Sequence, residues 1–130
     1  MNLILASSSP RRQELLNQLN LPYRIQPPEG VDESSVSGTA YTVSRELARM
    51  KAEWVLENGE ATEDAFVVGC DTVVSIVSGA QERILGKPAS EAEARQMLGV
   101  LSGTSHRVIS AVAIARPDAP TRVEAEVSHV

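Results

Sequence analysis

A chain of 130 residues holds one ordinary domain with one sizeable core. Its 42% hydrophobic and 22% charged content lies near the globular average, which excludes a disordered tail, a collagen-like repeat and a disulfide-stapled mini-protein. A formal net charge of −5 and 3% aromatic residues exclude a general basic footprint and a stacking platform for a nucleic acid polymer, so any anionic ligand is small and held at a local cluster.

In chain order, Leu3–Ala6 is a short apolar run ending in Ser7-Ser8-Ser9-Pro10, a turn with proline at the first position of a helix. Leu15, Leu16 and Leu19 then recur at helical spacing, which predicts a helix over 10–20. Leu21–Ile25 reads as a second strand, and a loop rich in Pro, Gly and Ser runs from Pro27 to Gly38. Ser37 or Thr39 caps the next helix, with Val43, Leu47, Met50 and Trp54 on one stripe and Asn58-Gly59 as its stop. Ala65–Gly69 and Val73–Val77 are two apolar, β-branched runs interrupted by Cys70-Asp71-Thr72. A hairpin turn over Ser78–Glu82 returns through Arg83-Ile84-Leu85 to Gly86-Lys87-Pro88. Ser90 and Glu93 make a capping box for a helix bearing Ala94, Met97, Leu98 and Leu101, closed by Gly103. His106–Ala115 is a buried strand, and Thr121–Val130 alternates like a half-buried one. The order βαβαββαββ predicts an α/β domain on a mixed sheet. The chain stops at Val130 inside an alternating strand, so the expectation is a single domain over 1–130 whose C-terminal part is missing.

The candidate chemistry lies at element ends. Arg11 and Arg12 occupy the first turn of a helix, where the dipole favours anions. A strand, a serine-rich turn and a helix start together offer hydroxyls and backbone N–H groups to a phosphate; the plainer reading is a solvated arginine pair. Asp71 sits between apolar runs, where a charge has to be paired, bind a metal or be a tuned acid, unless it only closes a tight turn. Gly69 leaves room for close approach of backbone or ligand. The chain has ten arginines but two lysines: Lys87, in a tight loop leaving a strand, and Lys51, at the edge of the helix stripe, where its stem can also simply snorkel. Asp32-Glu33 lies in the irregular loop, suited to a hard cation or to plain solvation. His106 and His129 have no partner at ligand spacing. Cys70, the one cysteine, forms no internal disulfide and reads as a core thiol. Neither a signal peptide nor a bilayer-length apolar run is present, and the expected location is the cytoplasm, away from membranes. Acid, cations and hydroxyls at strand ends and a helix start point to metal-assisted chemistry on a small phosphorylated molecule.

These segments have a familiar arrangement. Leu5-Ala6-Ser7-Ser8-Ser9-Pro10-Arg11-Arg12, followed by Leu15-Leu16, resembles the opening of the Maf family of nucleoside triphosphate pyrophosphatases. Leu47-Ala48-Arg49-Met50-Lys51-Ala52 resembles that family's LAxxKA helix, and Gly69-Cys70-Asp71-Thr72-Val73-Val74 its GxDTVV strand. Leu85-Gly86-Lys87-Pro88 resembles its LGKP loop, and the segment Leu101 to Val108 its LSGxxHxV motif. The resemblance implies an elongated mixed sheet flanked by helices, with a cleft between two lobes, similar to inosine triphosphate pyrophosphatases. It implies hydrolysis of a nucleoside triphosphate to the monophosphate and pyrophosphate, assisted by a divalent cation, Mg²⁺ or Mn²⁺. On the matching positions, Asp71 would accept the proton of the attacking water. Ser7, Ser9, Arg11, Arg12, Lys51 and Lys87 would surround the phosphates, and Glu33 would help hold the metal. Thr72 after the Asp resembles the branch acting on dTTP and UTP, where other members carry Gln and prefer 7-methyl-GTP; Arg11 is the second matching specificity position. No segment matches the family's C-terminal DKAGAYGIQG-like stretch. The competing expectation is therefore an inactive or non-enzymatic fragment that binds nucleotide or a protein partner, in keeping with the family's association with septum formation. Whether the chain forms a homodimer is left open.

Overall fold

The computed structural model describes residues 2–59, 62–78, 80–85, 90–101 and 106–130. Its elements are β1 (Asn2–Ala6), α1 (Pro10–Asn17), β2 (Arg24–Ile25), α2 (Ala40–Asn58), β3 (Ala65–Ser78), β4 (Gln81–Leu85), α3 (Glu91–Leu101), β5 (Arg107–Arg116) and β6 (Ala119–His129). The expected alternation is the observed one, an α/β fold on a mixed six-stranded sheet of order β2-β1-β3-β5-β6 with β4 also on β3.

The main departure concerns Asp71. Cys70-Asp71-Thr72 does not interrupt two runs: β3 passes straight through it as one strand of 14 residues. The reason lies in β5, which pairs antiparallel with β3 from Val67 to Ser75 and opposes Asp71 with Ala111. An unbroken ladder on that edge satisfies the backbone where side-chain polarity alone reads as a turn. Smaller departures lie at element ends. The first helix stops at Asn17 and the chain turns through Asn20, which has φ 55. The second strand is only Arg24–Ile25, and the last long pair begins at Arg107. Thr39, not Ser37, caps α2, its hydroxyl accepting from Thr42 N at 3.2 Å. Glu93 N donates to Ser90 Oγ at 3.1 Å, as the capping box requires. Lys87 and the close at Gly103 lie outside the described residues.

The other edge of β3 is shared. β1 pairs parallel with Ala65–Gly69 and β4 antiparallel with Val74–Ser78. Because β5 overlaps both stretches, β1 and β4 lie on the same, opposite edge. Between them, Cys70–Val73 has no strand neighbour on that edge among the described residues. Among the described residues the sheet is thus unpaired on one side at the height of Asp71, just beyond the end of β1.

Helix α2 crosses one face of the sheet. Ile4, Ala6, Val67, Ala111, Ala113 and Ala115 pack with Ala48, Ala52 and Val55 in one buried cluster. Val43, Leu47, Val73 and Ile109 form a second. The buried stripe of α2 includes Ser44, Ala48, Ala52 and Val55, while Met50 and Trp54 of the predicted stripe are only partly buried at its margin. Small side chains explain the shift, because they let the helix lie close. At Gly69 a Cβ would stand 2.4 Å from Ala48 O and 2.7 Å from Ala52 N.

Candidate active site

The chemistry collects at that unpaired stretch. Asp71 is on the α2 face of β3, 7% exposed. Two residues from the Gly69 contact, α2 brings Lys51 over it, and Lys51 Nζ donates to Asp71 Oδ1 at 3.0 Å. The same ammonium is 2.8 Å from Glu33 Oε1, which is carried on a 3-10 turn, Glu33–Ser35. Asp32 caps that turn, accepting from Ser34 N at 3.1 Å, so of the two loop acids Asp32 builds the turn and Glu33 faces the site. Asp71 Oδ2 is buried with no hydrogen-bond partner among the described residues.

Burial pushes the Asp71 carboxyl above the ordinary aspartate value. The Lys51 hydrogen bond and charge pull it back only in part, and the nearby Glu33 adds to the rise. Burial also pushes the Cys70 thiol up, which leaves it a poor nucleophile.

Beside this cluster lies a cleft of about 520 Å³ lined by Ala6 to Ser9, Arg12, Pro27 to Glu29, Val31, Glu33 and Lys51. The β1–α1 turn supplies Ser7 to Ser9 of this lining. Ser9 N donates to Ser7 Oγ at 3.0 Å, folding the turn on itself. Ser9 is the N-cap of α1 without a side-chain cap bond, and the first turn of that helix holds no acidic residue. The start of the helix, with no acidic residue in its first turn, and Arg12 therefore share the cleft with Glu29 and Glu33.

The structure thus brings together Ser7, Ser9, Arg12, Glu33, Lys51 and Asp71. It does not bring Arg11, which is exposed on α1, or Thr72, which is exposed on the opposite face of β3 from Asp71. Lys87, in the Leu85-Gly86-Lys87-Pro88 loop, lies outside the described residues. A larger cleft of about 860 Å³ between β4 and α3 has Arg83 and Glu93 among mostly neutral residues and lacks this convergence. Sequence reasoning passed over Ser8 and the walls at Pro27 to Val31, because nothing local marks which part of an irregular loop faces a cleft.

Two carboxylates on one ammonium, one of them with an unused buried oxygen, are hard donors suited to a divalent cation completed by phosphate oxygens. No group of three metal-ligating side chains occurs among the described residues. No helix among them is long and apolar enough to cross a membrane.

The fold is shared with proteins of known structure. The chain superposes with TM-score 0.62 at 17% identity on the Ham1 protein of Staphylococcus aureus, covering 99% of this chain and 70% of that one. It superposes with TM-score 0.60 at 16% identity on a nucleoside-triphosphatase / dITP/XTP pyrophosphatase of Mycobacterium abscessus, covering 99% and 72%. Residues 2–130 match the model of the family described as Maf-like protein, and the chain belongs to that family. Among curated relatives, it is 50% identical over 118 residues to a dTTP/UTP pyrophosphatase of Symbiobacterium thermophilum, covering 89% of this chain and 56% of the relative. It is 45% identical over 113 residues to the enzyme of the same name in Halalkalibacterium halodurans, covering 86% and 55%. The chain therefore spans about half the length of these relatives.

Proposed function

We propose that this chain carries the catalytic part of a nucleoside triphosphate pyrophosphatase that converts dTTP or UTP to the monophosphate and pyrophosphate. The observation that carries this reading is the buried Asp71, one oxygen held by Lys51 and the other unused, beside a serine-rich turn and helix start suited to phosphate. The names of the curated relatives support the substrate class.

In the proposed reaction, Asp71 takes a proton from a water molecule at its unused oxygen. The resulting hydroxide attacks the α-phosphorus, the α–β anhydride bond breaks, and pyrophosphate leaves with the bonding electron pair. Lys51 orients the carboxylate and, with Arg12, offsets charge on the phosphate chain. Ser7, Ser9 and the first N–H groups of α1 position the phosphates, and Lys87 adds a second ammonium. Glu33 would help hold a divalent cation, which when bound neutralises phosphate charge. Arg11 and Thr72 bear on substrate choice from outside the cleft.

The test is pyrophosphate release from a panel of nucleoside triphosphates with Mg²⁺ or Mn²⁺, with Asp71→Asn as control. Release favouring dTTP and UTP, abolished in the control, supports the reading. Equal release by the control removes Asp71 as the base. The serine-rich turn and helix start lining the cleft favour one second reading, a chain that binds nucleotide without turning it over. Retained dTTP affinity without release from a folded chain would select it.

A further inference from the structure

We propose that Trp54 is a positioning residue for this site: its indole is the seat on which Gly30 rests, and that seat holds the cleft wall so that Glu33 reaches Lys51. Gly30 lies directly on the ring. A Cβ there would stand 2.1 Å from Trp54 Nε1 and 2.5 Å from Cε2, so only a glycine brings the backbone this close. Gly30 belongs to the stretch whose Pro28, Glu29 and Val31 line the cleft, and Glu33 follows three residues later. Trp54 is one helical turn beyond Lys51 on α2 and is itself braced against the main core cluster. Both ends of the 2.8 Å Glu33–Lys51 ion pair are thereby referred to a single rigid element. Asp32 binds Ser34 and Ser35 and shapes the turn, and Val36 after it packs against the second core cluster; Gly30 on Trp54 is the contact that holds the stretch before Glu33 to α2 next to Lys51.

The catalytic consequence rests on the proposed function, but the positioning itself can be read without turnover. Acylation of Lys51 by an amine-reactive ester, followed in the peptide that contains it, reports how well its carboxylate partners are held. Glu33→Gln, Trp54→Ala and Gly30→Ala are each expected to speed labelling about threefold, the size of losing one partly exposed ion pair. Trp54→Phe should restore a rate near that of the unaltered chain. In a Glu33→Gln background, Trp54→Ala should add nothing, because the two changes remove the same contact. An unchanged Lys51 rate in Trp54→Ala, or an equal rise in both backgrounds, overturns the proposal, the latter because it marks general loosening. If the chain releases no pyrophosphate, the proposed function falls and the labelling result still decides the seat.

Discussion

Asp71 faces two opposed demands. A base has to be ionised to accept a proton, yet burial on the α2 face of β3 disfavours its charge. Lys51 resolves the conflict only in part, leaving the carboxyl above the ordinary aspartate range. The acid limb of kcat/KM is therefore expected above that range, and Lys51→Met, which removes the opposing pull, should move it to higher pH still; a pH–rate series checks both. Asp71→Asn should lower pyrophosphate release by about 10²- to 10⁴-fold, the usual worth of a general base, with nucleotide binding retained. Its effect on stability has the opposite sign. Between the ordinary and the raised value, the native chain binds more protons than the unfolded one, so stability from Asp71 falls as pH rises through that window. Asp71→Asn removes that penalty, and thermal melts should place the variant at or above the unaltered chain at pH 7. The gap should close in acid, once Asp71 is protonated in both the native and the unfolded chain.

At the scale of elements, the site depends on how closely α2 lies on the sheet. Gly69 sets that distance, and Gly69→Ala forces the new methyl against the backbone of Ala48 and Ala52. The cost expected for such overpacking is about 1–3 kcal/mol, seen as a lower urea midpoint. Activity should fall further than stability explains, since Lys51 rides on the displaced helix. The start of α2 is held by Glu82, whose carboxylate accepts from Ala40 N at 2.8 Å, from Ser75 Oγ at 3.2 Å and from Arg107. One side chain on β4 thus joins α2, β3 and β5. Glu82→Ala leaves three donors without their acceptor and should cost about 2–4 kcal/mol in the same urea experiment.

The whole molecule places its chemistry at a discontinuity. β3 runs unbroken along β5, while on its other edge β1 ends opposite Gly69 and β4 ends opposite Val74. Asp71 itself is buried there, and the cleft beside it is reached through Lys51 and Glu33. The face of the sheet away from α2 is less covered: Val112 and Ile114 of β5 are 42% and 40% exposed. Leu15 and Leu19, placed by spacing on the apolar side of the first helix and its end, are 57% and 63% exposed. Apolar surface of this kind binds hydrophobic dyes. This chain is expected to enhance dye fluorescence at neutral pH, and a Val112→Thr, Ile114→Thr double variant to reduce it; an unchanged signal would place the sticky surface elsewhere.

Much of this was legible locally. Periodicity and capping residues mark the helices at Thr39 and Ser90, β-branched runs mark the strands, and the apolar neighbours of Asp71 mark it as a charge in need of a partner. Local signals report what a segment does against an unspecified core, so they carry element type and order well. They do not report which partner lies beside it. That β3 continues through Asp71 follows from β5 pairing some forty residues later, and no feature of Cys70-Asp71-Thr72 itself could reveal it. The meeting of Glu33, Lys51 and Asp71, and the seating of Gly30 on Trp54, likewise depend on the height and angle of α2 on the sheet. Small residues distributed over β3, β5 and the helix set those quantities together. The sequence by itself determined the elements and the reactive residue types; only tertiary packing decided which of them share a charge, because ångström-scale distances between remote segments are a property of the assembled core.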